Sequence, residues 1–211
     1  MANQIVTPMS AKEFQVKTGI NDETMERLAA YRELVVKWRG AVNLIGPATV
    51  KDIWRRHMLD SAQILPHLPP NAEPVLDIGS GGGFPGLVLA VIGGLEVHLV
   101  ESNSRKCAFL RQAARATSAP AVIHESRIED MEPFIAGVIT ARATAPLEKL
   151  LGYAEPFMDN ATLCLFLKGR NHDRELTDSE KNWIMETVKV KSLTDRSGVI
   201  LKLKRISRRD H

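Results

Sequence analysis

Asp77 stands two residues before Gly79, the first of five glycines in the eight residues that end at Gly86, in the run PVLDIGSGGGFPG over residues 74–86. Glycines turn the backbone at positive φ and let a ligand lie against bare N–H groups. Pro85 suits the first turn of a helix, where a missing N–H costs nothing. The helix start adds unpaired donors and a partial positive charge. Residues 81–86 also satisfy G-x-G-x-x-G, a weak signal in so glycine-rich a stretch. Asp77 is more informative, because a carboxylate just before the loop repels a pyrophosphate and attracts a cation.

S-adenosylmethionine is such a ligand: it carries a sulfonium and an ammonium and no phosphate. The segment Asp77-Ile78-Gly79-Ser80-Gly81-Gly82-Gly83 has the D-x-G-x-G-x-G pattern of Rossmann-like methyltransferases. Asp77, Gly79 and Gly81 are therefore read as cofactor-binding. Glu101 ends the next strand pattern about 20 residues on, where an acid accepts the two hydroxyls of a ribose. That ribose belongs to NAD as well as to S-adenosylmethionine, so Glu101 supports a nucleoside without separating the two. In open α/β sheets ligands lie beyond the carboxyl ends of the strands. This directs attention to Ser126-Arg127-Ile128-Glu129, Thr140-Ala141-Arg142-Ala143 and Lys168-Gly169-Arg170. Ile128 can cover an adenine face, Glu129 its edge, and Arg142 the mouth beside the transferred methyl group. Arg105, Lys106, Arg127 and Lys168, with Arg142, form a positive rim that suits a phosphate backbone. Phe84, Trp38 and Trp54 are candidate stacking platforms, with core packing as the competing reading of each. His57, on an apolar helical stripe, is either a satisfied residue at the core edge or a sign that its helix folds over the cleft.

The elements that position these residues follow from periodicity. Ser10 and Glu13 have capping-box spacing for a helix ending near Gly19, and Asn21 caps a second helix. A third helix is expected over residues 50–65, closed by Pro66, Pro69 and Pro70. From Pro74 strands and helices alternate: strands at 75–78, 96–101, 120–124, 137–141 and 161–167, and helices at 85–92, 105–117 and 148–157. A polar helix is expected over 175–186. Strands at 188–193 and 199–204 read as an antiparallel hairpin, and the basic end, 202–209, as a solvated strand edge and tail. The pattern predicts an α/β, Rossmann-like chain with a mostly parallel seven-stranded sheet, a C-terminal antiparallel hairpin and an N-terminal helical cap. The expected division is a helical extension, residues 1–70, packed on a core domain, 71–211.

The 211 residues carry a formal net charge of +3, with 44% hydrophobic and 25% charged residues, which places the chain among globular proteins. No apolar run approaches the ~20 residues a membrane span requires, and residues 1–17 lack the pattern of a secretory signal. A cytoplasmic protein, with no membrane, is expected. The two cysteines, Cys107 and Cys164, lack CxxC or Cys/His neighbours, so neither a disulfide nor a metal is expected.

Taken together, several segments resemble the bacterial glucose-inhibited division protein B family, the 16S ribosomal RNA guanine-N7 methyltransferases. They are Lys37-Trp38 with Asn43-Leu44, residues 56–61 (RHMLDS), residues 76–86, Arg105-Lys106 with Phe109-Leu110, residues 126–129, Arg142-Ala143 and Leu167-Lys168-Gly169. They span about residues 38–169, most of the chain. The resemblance implies a class I S-adenosylmethionine-dependent methyltransferase fold. It also implies cofactor contacts at Gly79, Phe84, Ile128, Glu129 and Arg142, and methylation of N7 of one guanine in a decoding-region loop of 16S ribosomal RNA. The partner is 16S ribosomal RNA or the 30S subunit, and the enzyme is expected to be a monomer. Relatives often have aspartate where this chain has Glu101, and both hold a ribose. A small-molecule methyltransferase, an NAD-dependent oxidoreductase and a non-catalytic RNA-binding module are the alternatives. Asp77 disfavours the oxidoreductase, and the lack of a large lid disfavours the small-molecule enzyme.

Guanine N7 also agrees with what the chain lacks. C5 methylation of a pyrimidine uses a nucleophile, usually cysteine, and neither cysteine lies at a strand's carboxyl end. Adenine N6 methylation generally uses an Asn/Asp-Pro-Pro-aromatic loop, where this chain has residues 140–143 (TARA). N7 carries a lone pair and no proton, so placement suffices. Arg142 is accordingly expected to position its partners and not to transfer a proton.

Overall fold

The computed structural model describes residues 7–209. Its centre is β1 (Val75–Ile78), four residues buried on both faces, as a strand covered by helices on each side must be. It pairs in parallel with β2 (Val97–Glu101) and β4 (Val138–Arg142), Val75 lying opposite both Val97 and Val138. Outward lie β3 (Ala121–Glu125) on one side, and on the other β5 (Leu163–Lys168), β7 (Val199–Arg208) and β6 (Trp183–Lys191). The order β3-β2-β1-β4-β5-β7-β6 has β7 antiparallel to both neighbours, giving the expected mixed sheet. It reverses direction of winding at β1, so the ends of β1 and β4 open a crevice there.

Two apolar layers cover the sheet. One contains Leu87 and Val88 of α4 (Gly86–Gly93) and Phe109 and Leu110 of α5 (Ser104–Ala116). Phe14 of α1 (Ala11–Thr18), Leu28 and Tyr31 of α2 (Asp22–Trp38), and Trp54 join the same layer. The other contains Leu150 and Leu151 of α6 (Leu147–Ala154), Leu176 of α7 (His172–Ser179) and Trp183. α1 starts on the capping box read from the sequence, the Glu13 N–H donating to Ser10 Oγ at 3.2 Å and the Ser10 N–H to Glu13 Oε2 at 2.7 Å. It stops at Gly19, φ +69°. The first six residues of the expected extension lie outside the described residues.

Three expectations are corrected. The third helix is not a regular α-helix: residues 47–67 form a 3-10 segment (Pro47–Asp52), a π-helical turn (Trp54–Leu59), α3 (Asp60–Ala62) and a final 3-10 turn (Leu65–His67). The polar helix ends at Ser179, and residues 183–186 belong to β6. Trp183, 1% exposed, is drawn into the core, and the pairing of Trp183 with Arg208 outweighs local helix preference. The basic end is not an edge, because β7 lies between β5 and β6. Among the described residues no helix is long and apolar enough to cross a membrane.

Candidate functional site

A cleft of about 920 Å³ opens over the carboxyl ends of β1, β2, β4 and β5. Its floor is the glycine loop. Gly79 and Gly81 adopt φ +70° and +57°, the left-handed region that glycine enters without steric cost. At Gly81 an added Cβ would meet nothing nearer than the Gly79 carbonyl at 3.8 Å, so this side of the loop is open backbone. From the far side the Tyr31 hydroxyl donates to the Gly82 carbonyl, tying the N-terminal helices to the loop.

Glu101, 8% exposed, stands at the edge of this floor. Its Oε2 accepts from the Gly81 N–H at 3.1 Å and its Oε1 from the Asn103 N–H at 2.8 Å, with Lys106 Nζ at 3.5 Å. These bonds fix the carboxylate beside the loop. Ile128, 7% exposed, and exposed Glu129 line the neighbouring wall with Val100 and Ile78. An acid for two ribose hydroxyls, an aliphatic wall for a purine and open backbone beyond it fit an adenosyl ligand of S-adenosylmethionine's shape.

Asp77 is placed differently from expectation. It is fully buried and does not line the cleft. Oδ1 accepts from Thr140 Oγ1 at 2.8 Å, and Oδ2 from the Gly86 N–H at 3.3 Å, at the start of α4. The carboxylate thus pins the helix start to β4 beneath the loop instead of facing a ligand. Burial raises its pKa to about 6, against the hydrogen bonds from Thr140, Ser80 and Gly86 and the charge of Arg142.

Arg142, at the end of β4, enters the cleft in the grip of residues 56–60. Nη1 donates to Asp60 Oδ2 and to the Arg56 carbonyl, each at 3.1 Å, and Nη2 lies 2.9 Å from His57 Nδ1. Its guanidinium carbon sits 5.1 Å from the centre of the Phe84 ring, and the His57 ring 5.0 Å. Phe84, 3% exposed, also stacks on Tyr31 at 5.2 Å. Both readings of His57 hold: the ring is 7% exposed with both nitrogens engaged, and its segment forms a wall of the cleft.

Residues 24–203 match the family described as rRNA small subunit methyltransferase G. The chain is 52% identical over 200 residues to the ribosomal RNA small subunit methyltransferase G of Paramagnetospirillum magneticum, covering 95% of this chain and 98% of that one. It is 46% identical over 200 residues to that of Rhodospirillum rubrum, covering 95% and 100%. The chain belongs to the rRNA small subunit methyltransferase G family. Its reaction is methyl transfer from S-adenosylmethionine to 16S ribosomal RNA. Among solved structures, a glycopeptide N-methyltransferase complexed with S-adenosylhomocysteine superimposes with a TM-score of 0.60 at 8% identity, over 70% of this chain and 89% of that one. The fibrillarin/Nop5p complex does so with a TM-score of 0.55 at 15% identity, over 71% and 81%. At those identities the likeness is one of fold, the class I methyltransferase fold.

In this methyltransferase the positive rim divides. Lys106 and Arg127 line the cleft, Arg127 exposed, while Arg105 is exposed on the first turn of α5 and outside the lining. Lys168 is corrected: its side chain is 7% exposed and Nζ donates to Glu175 Oε2 at 2.8 Å and the Ala145 carbonyl at 2.7 Å. It anchors the loop after β4 and is not a free cation. Neither tryptophan is a platform: Trp54 is buried, and Trp38 packs on Phe109 while Nε1 donates to Gln112 Oε1. Sequence reasoning missed Asp60, Thr144 and Thr194. Thr144 Oγ1 bonds the Ile78 carbonyl at 3.1 Å, joining the loops after β1 and β4. Asp60 lay within the RHMLDS segment, but a surface acid and a pinned one look alike there.

Opposed titrations under the cleft give a measurable signature. Burial, Arg142 and Arg56 lower the His57 pKa to about 3, so the unfolded chain binds the extra proton and His57 makes stability rise with pH between about 3 and the ordinary 6.5. Asp77, raised to about 6, binds the extra proton when folded and makes stability fall between the ordinary 3.9 or so and about 6. Near pH 5 the two slopes cancel. Urea denaturation of His57→Asn should show stability falling with pH relative to the parent by up to about one proton's slope, and Asp77→Asn the reverse. Parallel curves for all three proteins would contradict these assignments.

Proposed function

We propose that this enzyme methylates N7 of a guanine in 16S ribosomal RNA, with S-adenosylmethionine lying along the glycine loop. S-adenosylmethionine, when bound, supplies an electrophilic methyl group. In this reading Glu101 holds the ribose hydroxyls, Ile128 covers the adenine, and Glu129 or its backbone meets the adenine edge. Gly79 and Gly81 let the chain run close against the ligand, and Phe84 floors the methyl-transfer end. Asp77 acts from beneath by holding loop and helix in register. Arg142 orients the reacting pair by donating to guanine O6 or a phosphate.

The observation that carries the choice of N7 is that, among the described residues, the acid and the imidazole in contact with Arg142 are both engaged and neither is a free base. Asp60 is engaged by Arg142, Gln63 and Thr194, and both nitrogens of His57 are engaged. Burial pushes the Cys164 thiol up to about 12 and, with Glu125 and Glu101, the Cys107 thiol up to about 11. A nucleophile that carries no proton suits this site; an exocyclic amine, which must lose one, does not. Labelled cofactor and small subunits lacking the modification, with the methylated base identified by mass, test the reading. A methyl group on any atom other than guanine N7 would overturn it.

The RNA is expected to reach the cleft across Arg127, Lys106 and Arg105. Arg127→Ala should reduce the slope of log affinity against log salt by about one phosphate contact. Lys168→Ala should leave that slope unchanged but lower the melting temperature, since it leaves Glu175 only the Leu147 N–H and no opposing charge. Filter binding across a salt series, with thermal melts, checks both. Action as a monomer is part of the same reading, and the ribosomal substrate supports a cytoplasmic location. The helical extension, residues 1–70, contributes the cleft's outer wall through Thr49, His57 and Asp60, while Tyr31 braces the glycine loop from behind.

A further inference from the structure

We propose that His57 is a positioning residue for methyl transfer, an imidazole locked in one tautomer that aims the Arg142 guanidinium into the cleft. The inference rests on the role proposed above for Arg142.

The proton inventory fixes the tautomer. Thr49 has one hydroxyl proton, and its Oγ1 lies 2.8 Å from the Gly46 carbonyl, which only accepts. That proton is therefore committed, and toward His57 Nε2, at 2.7 Å, Thr49 Oγ1 acts as acceptor. Nε2 must carry a hydrogen. Arg142 Nη2, at 2.9 Å from Nδ1, can only donate. Nδ1 must be bare. A second ring proton would point an N–H at a guanidinium, in line with the depressed pKa of this histidine. The ring is further held against Phe84 at 5.0 Å, in a setting only 7% exposed.

The local backbone is shaped for this grip. Residues 54–59 form a π-helical turn, wider than an α-turn by about one residue. The Arg56 carbonyl, the His57 ring and the Asp60 carboxylate all meet Arg142. Asp60 Oδ1 also accepts from the Thr194 hydroxyl, which ties the turn to the loop between β6 and β7. Two Nη1 hydrogens and one Nη2 hydrogen of Arg142 are thereby occupied. Of the five N–H donors of an arginine, the Nε–H and the other Nη2–H remain for substrate. Without His57 the Nη2 arm is unheld, and a donor that swings loses the placement on which N7 attack depends.

Single-turnover methylation of small subunits at saturating cofactor tests this, together with S-adenosylhomocysteine affinity by calorimetry and thermal melts. His57→Ala and His57→Phe should each slow transfer by roughly 10- to 100-fold, with cofactor affinity within a few-fold of the parent. His57→Asn places an amide oxygen near the Nδ1 position and should recover most of the rate, although it cannot reach Thr49. The double variant His57→Ala/Arg142→Ala should be no slower than Arg142→Ala alone, because the two residues act as a unit. A His57→Phe enzyme as fast as the parent, a His57→Asn enzyme as slow as His57→Ala, or additive losses in the double variant would overturn the role of His57. An Arg142→Ala enzyme of full rate would instead overturn the role of Arg142.

Discussion

Gly79→Val should abolish cofactor binding. Gly79 adopts φ +70°, where a β-branched side chain is an outlier. An added Cβ would lie 2.7 Å from Thr144 Oγ1 and closer still to Thr144 Cγ2. Turning Thr144 away gives up its single hydroxyl hydrogen bond, shared between the Ile78 and Arg142 carbonyls at 3.1 Å each, and still leaves its Cβ 3.1 Å from the added Cβ. The valine is therefore expected to push apart the loops after β1 and β4, both of which line the cleft. Backbone strain of about 1–3 kcal/mol adds to the displacement. At S-adenosylhomocysteine concentrations of 100 Kd the parent enzyme should gain about 2.7 kcal/mol of stability. The variant, with a native circular dichroism spectrum at low temperature, should gain nothing measurable. A melting shift equal to the parent's would show that the ligand does not use this loop.

The second large effect lies in the RNA. Replacing the target guanine by 7-deazaguanine should remove methyl transfer altogether while leaving RNA binding within a few-fold. The substitution exchanges the attacking nitrogen for a C–H and keeps O6 and the Watson–Crick edge, so contacts to Arg142 and the rim survive. The protein side of the same prediction is tolerance. Cys107 Sγ donates to the Glu101 carbonyl at 3.0 Å beneath the cofactor site, and Cys164 is buried in β5. The Cys107→Ser/Cys164→Ser double variant should therefore keep activity within a few-fold. Filter binding and labelled-methyl transfer measure both sides. Methyl transfer to the deaza RNA, or complete loss of turnover in a folded double-serine variant, would rule out direct attack by N7.

Local pattern carried far in this chain. β1 is found at residues 75–78, where the buried-strand pattern predicted it, and α1 is capped at Ser10 and Gly19, because capping and strand burial depend on neighbours within a few positions. Glu101 was legible for a related reason. A strand of fixed rise brings an acid 20 residues past the loop back beside it, and its carboxylate meets the Gly81 N–H. The glycine spacing likewise announced a turn at positive φ before any contact was known.

What was not legible depends on partners far apart along the chain. Asp77 carries the same charge whether it faces a ligand or a helix start; Thr140, 63 residues away, and the Gly86 N–H take both its oxygens. Lys168 reads as a free cation until the α7 helix brings Glu175 to it, and α7 itself stops early because β7 offers residues 183–191 a partner strand. His57 is one more residue on an apolar stripe until a π-turn and β4, 85 residues on, set its Nδ1 against Arg142. Backbone preference and side-chain period act over one or two turns and so are written in the order of residues. The direction in which a buried polar group spends its hydrogen bonds is chosen by whichever partner the completed sheet delivers, and that choice exists only in the folded chain.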